Sequence, residues 1–88
     1  MTNDLLQAIA VANAIKSNLM DLLMERNDIV SEAWDETARL VPKSQKDNLQ
    51  KIARKTNSET NRIDLAIFDT LAKYHEASET VRNLMEKH

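Results

Sequence analysis

The sequence contains no cysteine and no glycine, a single proline, Pro42, and only three aromatic residues, Trp34, Phe68 and Tyr74. Without cysteine there is no disulfide scaffold, no thiolate zinc site and no cysteine nucleophile. Without glycine there is no P-loop, no dinucleotide fingerprint and no glycine-rich phosphate cradle. Tight hairpin turns that need positive φ would fall to Asn or Asp alone, which argues against a β-rich fold. Long hydrophobic runs are also missing. Lys16 and Asp21 interrupt the most apolar stretch, so no membrane span is expected, and Met1-Thr2-Asn3-Asp4 lacks the positive start of a secretory signal. A cytoplasmic location is expected, export through the general secretory route is not, and routes that use no cleaved signal peptide stay open.

What is present is 88 residues, 42% hydrophobic and 30% charged, with a net charge of −2. This length accommodates one domain, residues 1–88, with a small core and little stability of its own unless a partner contributes. The near-neutral balance gives no electrostatic footprint for nucleic acid.

Apolar residues recur at Leu5, Ala8, Ala12, Ile15, Leu19, Leu22, Ile29 and Ala33, three and four apart except at Arg26. This spacing predicts a helix over about residues 4–40 with a heptad-like seam on one face. Thr2 or Asn3 can cap its start, with Asp4 placed well against the helix dipole. A second stripe, Ile9, Met20, Leu23, Val30 and Trp34, lies beside the first, so the apolar face is wider than one neighbouring helix can cover.

Pro42 cannot sit inside a helical ladder, and residues 41–44 read as the turn, with Ser44 and Asp47 in a capping arrangement. A second helix over about residues 45–86 carries Leu49, Ile52, Ile63, Ala66, Ile67, Leu71, Tyr74, Ala77, Val81 and Leu84. Its seam turns polar through Thr56 and Glu59. The run Thr56 to Asn61 consists of poor helix formers and contains a capping-box pattern, so a kink or split there is the alternative to one continuous helix.

Charge is divided along the chain. Residues 1–42 hold three basic and seven acidic side chains, whereas residues 43–62 hold six basic and two acidic. Folding the two helices back on one another brings Asp28, Glu32, Asp35 and Glu36 near Lys43 to Lys55. The expected fold class is therefore all-α, an antiparallel helical hairpin that assembles into a bundle with a partner.

No constellation makes a convincing catalytic or metal site. His75 and Glu79 stand one helical turn apart, but the other histidine is the terminal His88, and no metal or other cofactor is expected. Asp21/Glu25 and Asp28/Glu32 read as surface charges, and Ser31 and Ser78 lack a nucleophile–base–orienter set. The basic run Lys43 to Arg62 has no aromatic residue for base stacking and faces an acidic cluster of the same chain. Met1, Met20, Met24 and Met85 are too scattered to form an adaptable methionine surface. Trp34 reads either as a core residue closing the tip of the hairpin or as an anchor presented to a partner helix. Tyr74 lies on the main seam, and Phe68, Ser78 and Met85 form an adjacent face that a hairpin need not bury.

Two long helices and Ala33-Trp34-Asp35-Glu36 near the bend resemble the WXG-type (early secreted antigen-like) small helical proteins of type VII secretion. Glu36 stands where that family has Gly. The family and its relatives encoded beside LXG toxins carry an aromatic residue followed four positions later by an acid. Here Tyr74 is followed by Ser78 in that place and by Glu79 one further on. The resemblance implies a non-enzymatic partner or targeting factor. Its partner would be another small helical protein or the helical N-terminal region of a secreted toxin, and a homodimer is also open. The second stripe and the adjacent face of the second helix give Trp34, Ile9, Leu23, Val30, Phe68 and Met85 as the expected partner-binding residues, and the resemblance implies Tyr74, Ser78 and Glu79 as the export signal.

The stretch Ile15 to Val30 is also similar to the first helix of the all-helical chorismate mutases, with Arg26 at a substrate-binding arginine. The other cationic positions of that family fall around Ile9 and Thr37, which cannot hold a dicarboxylate. A mutase-like enzyme is the alternative from another class, and a small export chaperone or structural bundle subunit the alternative among binding proteins.

Overall fold

The computed structural model describes residues 3–40 and 45–87. Two α-helices account for nearly all of them: α1, Asn3–Ala38, and α2, Gln45–Glu86. At about 1.5 Å per residue these are rods of roughly 54 and 63 Å. The turn expected over residues 41–44, the caps at Thr2 and Ser44, and His88 lie outside the described residues.

α1 ends by tightening. The Arg39 amide donates to the Asp35 and Glu36 carbonyls and the Leu40 amide to the Thr37 carbonyl, each at 3.2 Å. The two i→i−3 bonds, to Glu36 and Thr37, satisfy carbonyls that the last helical turn would otherwise leave open.

The helices run antiparallel. Glu25 pairs with Arg62, Arg26 with Asp64 and Glu36 with Lys55, so numbers rise on α1 as they fall on α2. Two of these pairs join the acidic first segment to the basic block of the second, as the charge division predicts. All three are substantially solvated, and each contributes about 0–1 kcal/mol. They favour this register more than they stabilise it.

The seam follows the expected heptad spacing on α1. Leu5 and Ala12 are buried, and Ala8, Ile15, Leu19, Leu22, Arg26, Ile29 and Ala33 are half-buried. On α2, Thr60, Ile63 and Ala77 are buried, while Ile52, Thr56, Glu59, Ala66, Ile67, Tyr74, Val81 and Leu84 are half-buried. Ile63, at 1% exposure, is the one large side chain to be fully enclosed among the described residues. In a two-helix hairpin each seam residue is covered from one direction only, which accounts for so much half-burial.

Two expectations on α2 are corrected. Leu49 and Leu71 are exposed, at 40% and 48%, rather than in the seam. Near Leu71 the seam steps from Ile67 to Thr70 to Tyr74, which leaves Leu71 about 100° further round the helix. Thr70 is tolerated there because its hydroxyl donates to the Ala66 carbonyl at 2.7 Å. The Thr60 hydroxyl likewise donates to the Thr56 carbonyl at 2.9 Å. α2 runs unbroken through Thr56–Asn61, so the alternative of a split there does not hold.

The result is a rod with extents of 68 × 16 × 13 Å and a radius of gyration of 19.8 Å. A compact domain of this length would have a radius of about 12 Å. The chain exposes 6994 Å², whereas a compact globule of its 10.1 kDa would expose about 5,300 Å².

Candidate interaction surface

The hairpin has two unlike broad sides, and the helix period explains why. A residue one position after a seam residue projects about 100° to one side of the seam, and a residue one position before projects to the other. Antiparallel helices are related by a two-fold axis normal to the plane of the hairpin. The residues that follow the seam on α1 therefore share a side with those that follow it on α2.

The side made by preceding residues is polar. Glu25 and Arg62 pair across it at 3.6 Å, and Lys55 reaches Glu36 at 3.9 Å. Asp4, Glu32 and Thr80 also line this side, and near the open end Val11, 50% exposed, forms an apolar hollow there with Ala8, Ala77 and Leu84.

The side made by following residues is apolar. From α1 it carries Leu6, Ile9, Met20, Leu23, Val30 and Trp34, and from α2 Phe68, Leu71 and Met85. Trp34 is 76% exposed and Phe68 is 70% exposed. Met24 and Leu65 lie on the outer backs of their helices, nearly opposite the seam, at the edge of this side. Two open apolar hollows mark it, one lined by Val30, Ala33, Trp34, Thr37 and Ala38, the other by Met20, Leu23, Met24, Asn27 and Asp28.

Five of the six residues expected to bind a partner are exposed here, namely Trp34, Leu23, Val30, Phe68 and Met85. Ile9 lies on the same side but is half-buried. Trp34 does not close the tip of a core. Leu6 and Leu71 also belong to this side, each one position after a seam residue, with Met24 and Leu65 at its outer edge.

Comparison with models of protein families, with curated proteins and with solved structures gives no significant match. The surface must be judged on its own chemistry.

Tyr74, Ser78 and Glu79 are all half-buried. Tyr74 sits in the seam and Ser78 beside it on the next turn. Glu79 lies further round, where its carboxylate accepts a hydrogen bond from the Arg82 guanidinium. That bond holds the Glu79 carboxyl below the usual carboxylate range and raises Arg82 correspondingly.

The residues relevant to a mutase-like site do not converge. The Arg26 Nε donates to the Asp64 carboxylate at 2.7 Å, and the Thr37 hydroxyl donates to the Ala33 carbonyl of its own helix. Among the described residues no group of three or more His, Asp or Glu side chains could hold a metal ion, and no helix is long and apolar enough to cross a membrane.

Proposed function

We propose that this chain is a non-enzymatic interaction module that docks its apolar side onto another helical surface. The observation that carries this is the exposure of Trp34, Phe68, Met20 and Leu23 on one side of a rod whose other side is mostly polar and crossed by two ion pairs. Contiguous apolar surface of this kind marks an interaction site. Tryptophan and other large side chains dominate the energetics of such contacts.

The resemblance to WXG-type proteins supplies the finer form of the proposal: a partner or targeting factor for a type VII-secreted protein or toxin. Trp34 is then a docking anchor, and Tyr74, Ser78 and Glu79 form the signal read during export. Support comes from the exposure of Trp34 and from the position of Ser78 and Glu79 one turn beyond Tyr74.

Co-purification with the products of neighbouring genes tests this reading, using wild type, Trp34→Glu and Glu79→Ala. Both substitutions are at the surface and should leave helicity and melting nearly unchanged. Trp34→Glu should abolish co-purification, and Glu79→Ala should abolish export of the partner. Undiminished binding by a folded Trp34→Glu variant would refute docking through this side.

A further inference from the structure

The α1 half of the apolar side is nearly free of charge. From Leu6 to Ala38, the positions of α1 that project to this side and its outer edge hold one charged residue, Lys16. The acids of α1 lie elsewhere, with Asp28 at the rim of the hollow lined by Met20 and Met24. Lys16 is exposed and, among the described residues, joins no ion pair. Its neighbours one helical turn away are Ala12, Asn13, Leu19 and Met20, so its own helix offers no counter-charge. Ile9 and Leu23 stand seven residues to either side of it in the same row.

The neighbouring helix offers none either. Ten residues back from Arg26 on α1 meets ten residues on from Asp64 on α2, which sets Lys16 opposite residue 74. The α2 residues on this side at that level are Leu71, His75 and Ser78. Beyond them Glu79 is already held by Arg82.

Given docking through this side, as proposed above, we infer that Lys16 selects the occupant: a helix of a different protein that carries a glutamate or aspartate about seven residues from a large apolar residue on either side. Covering the side removes water from the Lys16 ammonium, and a buried ammonium needs a carboxylate. One cation among apolar residues suits one carboxylate on an apolar helix, whereas a polyanion needs several. The flanking apolar residues of the occupant meet Ile9 and Leu23. The exposed Trp34, about 27 Å further along α1, anchors its other end.

A second copy of this chain does not supply that carboxylate. Face-to-face packing about a two-fold axis has two forms. In the antiparallel form α1 lies on α1, whose one charge on the contact strip is Lys16 itself. In the parallel form α1 lies on α2 at the same level, and Lys16 comes over His75. Both leave the ammonium uncompensated. Lys16 thus disfavours self-association while it favours an acidic partner, and specificity between similar apolar surfaces is built from such paired effects.

Two measurements on the full chain test this. Lys16→Met should strengthen self-association at least about tenfold in sedimentation or light scattering, because it removes an unpaired charge from the contact. Equal association by wild type and Lys16→Met would overturn the exclusion of a second copy. The other measurement uses a displayed library of helices about thirty residues long, with leucine along the heptad seam and each seam position varied among Leu, Gln, Glu and Lys. Wild type should enrich Glu over Leu about tenfold at one seam position. Lys16→Glu should enrich Lys there, and Lys16→Met should enrich Leu. Lys16 is exposed, and circular dichroism verifies that each variant remains helical. Leucine selected as well as glutamate by wild type would overturn the carboxylate. If those binders were lost on a folded Trp34→Glu variant, docking through this side would survive. Binders kept by Trp34→Glu, or no helix selected at all, would bring both inferences down.

Discussion

Ile63 and Phe68 are five residues apart on α2 and offer opposite tests of the packing. Ile63 is 1% exposed and Phe68 is 70% exposed. Ile63→Ala removes buried methyl and methylene groups worth about 0.8 kcal/mol each, roughly 2.4 kcal/mol before any cavity term. The cavity term is small here, because a rod two helices thick can close around a gap more easily than a deep core. The expected loss is therefore about 2–3 kcal/mol, near the lower end of the range for such substitutions. For a domain of this size each kcal/mol moves the melting temperature by about 4–8 °C. Ile63→Ala should accordingly lower it by at least about 8 °C, or abolish cooperative unfolding altogether. Phe68→Ala, compared at concentrations low enough to keep the chain monomeric, should change the melting temperature by less than about 4 °C. Thermal unfolding followed by circular dichroism reads both. Equal losses for the two variants, or a larger loss for Phe68→Ala in the monomer, would refute the assignment of seam and outer face.

Three further outcomes follow from the site geometry. Arg26→Ala and Asp64→Ala, combined in a double-mutant cycle, should show a coupling of at most about 1 kcal/mol, because both side chains are close to half exposed. The Glu79 carboxyl should titrate below an ordinary glutamate in NMR pH titration, and Arg82→Ala should return it to the ordinary range, since the hydrogen bond from Arg82 is the main cause of the lowering. Glu79 is a depressed acid, so any stability it contributes is present above the ordinary carboxylate pKa and fades as pH falls through its lowered folded value. Chorismate supplied to the purified chain should give no prephenate; production abolished by Arg26→Ala would overturn the non-enzymatic reading.

The α1 seam was legible because its apolar residues keep a three-and-four spacing, and even the interruption at Arg26 holds its place, half-buried and paired with Asp64. The seam of α2 was legible only in part. A track drawn through apolar residues passes through Leu71, whereas packing uses Thr70, whose hydroxyl is satisfied within its own helix. The polar stretch at Thr56–Asn61 suggested a break for the same reason: propensity registers poor helix formers but not the neighbouring helix. There the half-buried Thr56 and Glu59 line one hollow with Ile29 and Ala33 of α1. The second stripe of α1 was visible as an excess of apolar positions. That Phe68 and Leu71 join it on one side emerges only once the antiparallel register is known.

The distribution of side chains between seam and outer face bears directly on the native state. A two-helix chain that folded for itself alone would place its largest apolar residues between the helices and polar residues outside. Here that holds only in part: Leu5 and Ile63 are enclosed in the seam, but so are small and polar residues. Thr60, Ala12 and Ala77 are among the buried residues, with Arg26, Thr56, Glu59 and Thr70 half-buried in the same seam. Trp34, Phe68, Leu65 and Met24 lie outside, each at least 65% exposed. The small and polar seam residues let the helices approach closely but bury little apolar surface, and the large seam residues are covered from one direction only, so the hairpin alone leaves much of the available hydrophobic gain unused. The large side chains become stabilising only when a second layer covers them. Folding and association should therefore be coupled, and the melting temperature should rise with chain concentration. A melting temperature unchanged across a hundredfold range of concentration, in a chain that unfolds cooperatively and reversibly, would show that two helices suffice and that the outer face contributes nothing to the fold.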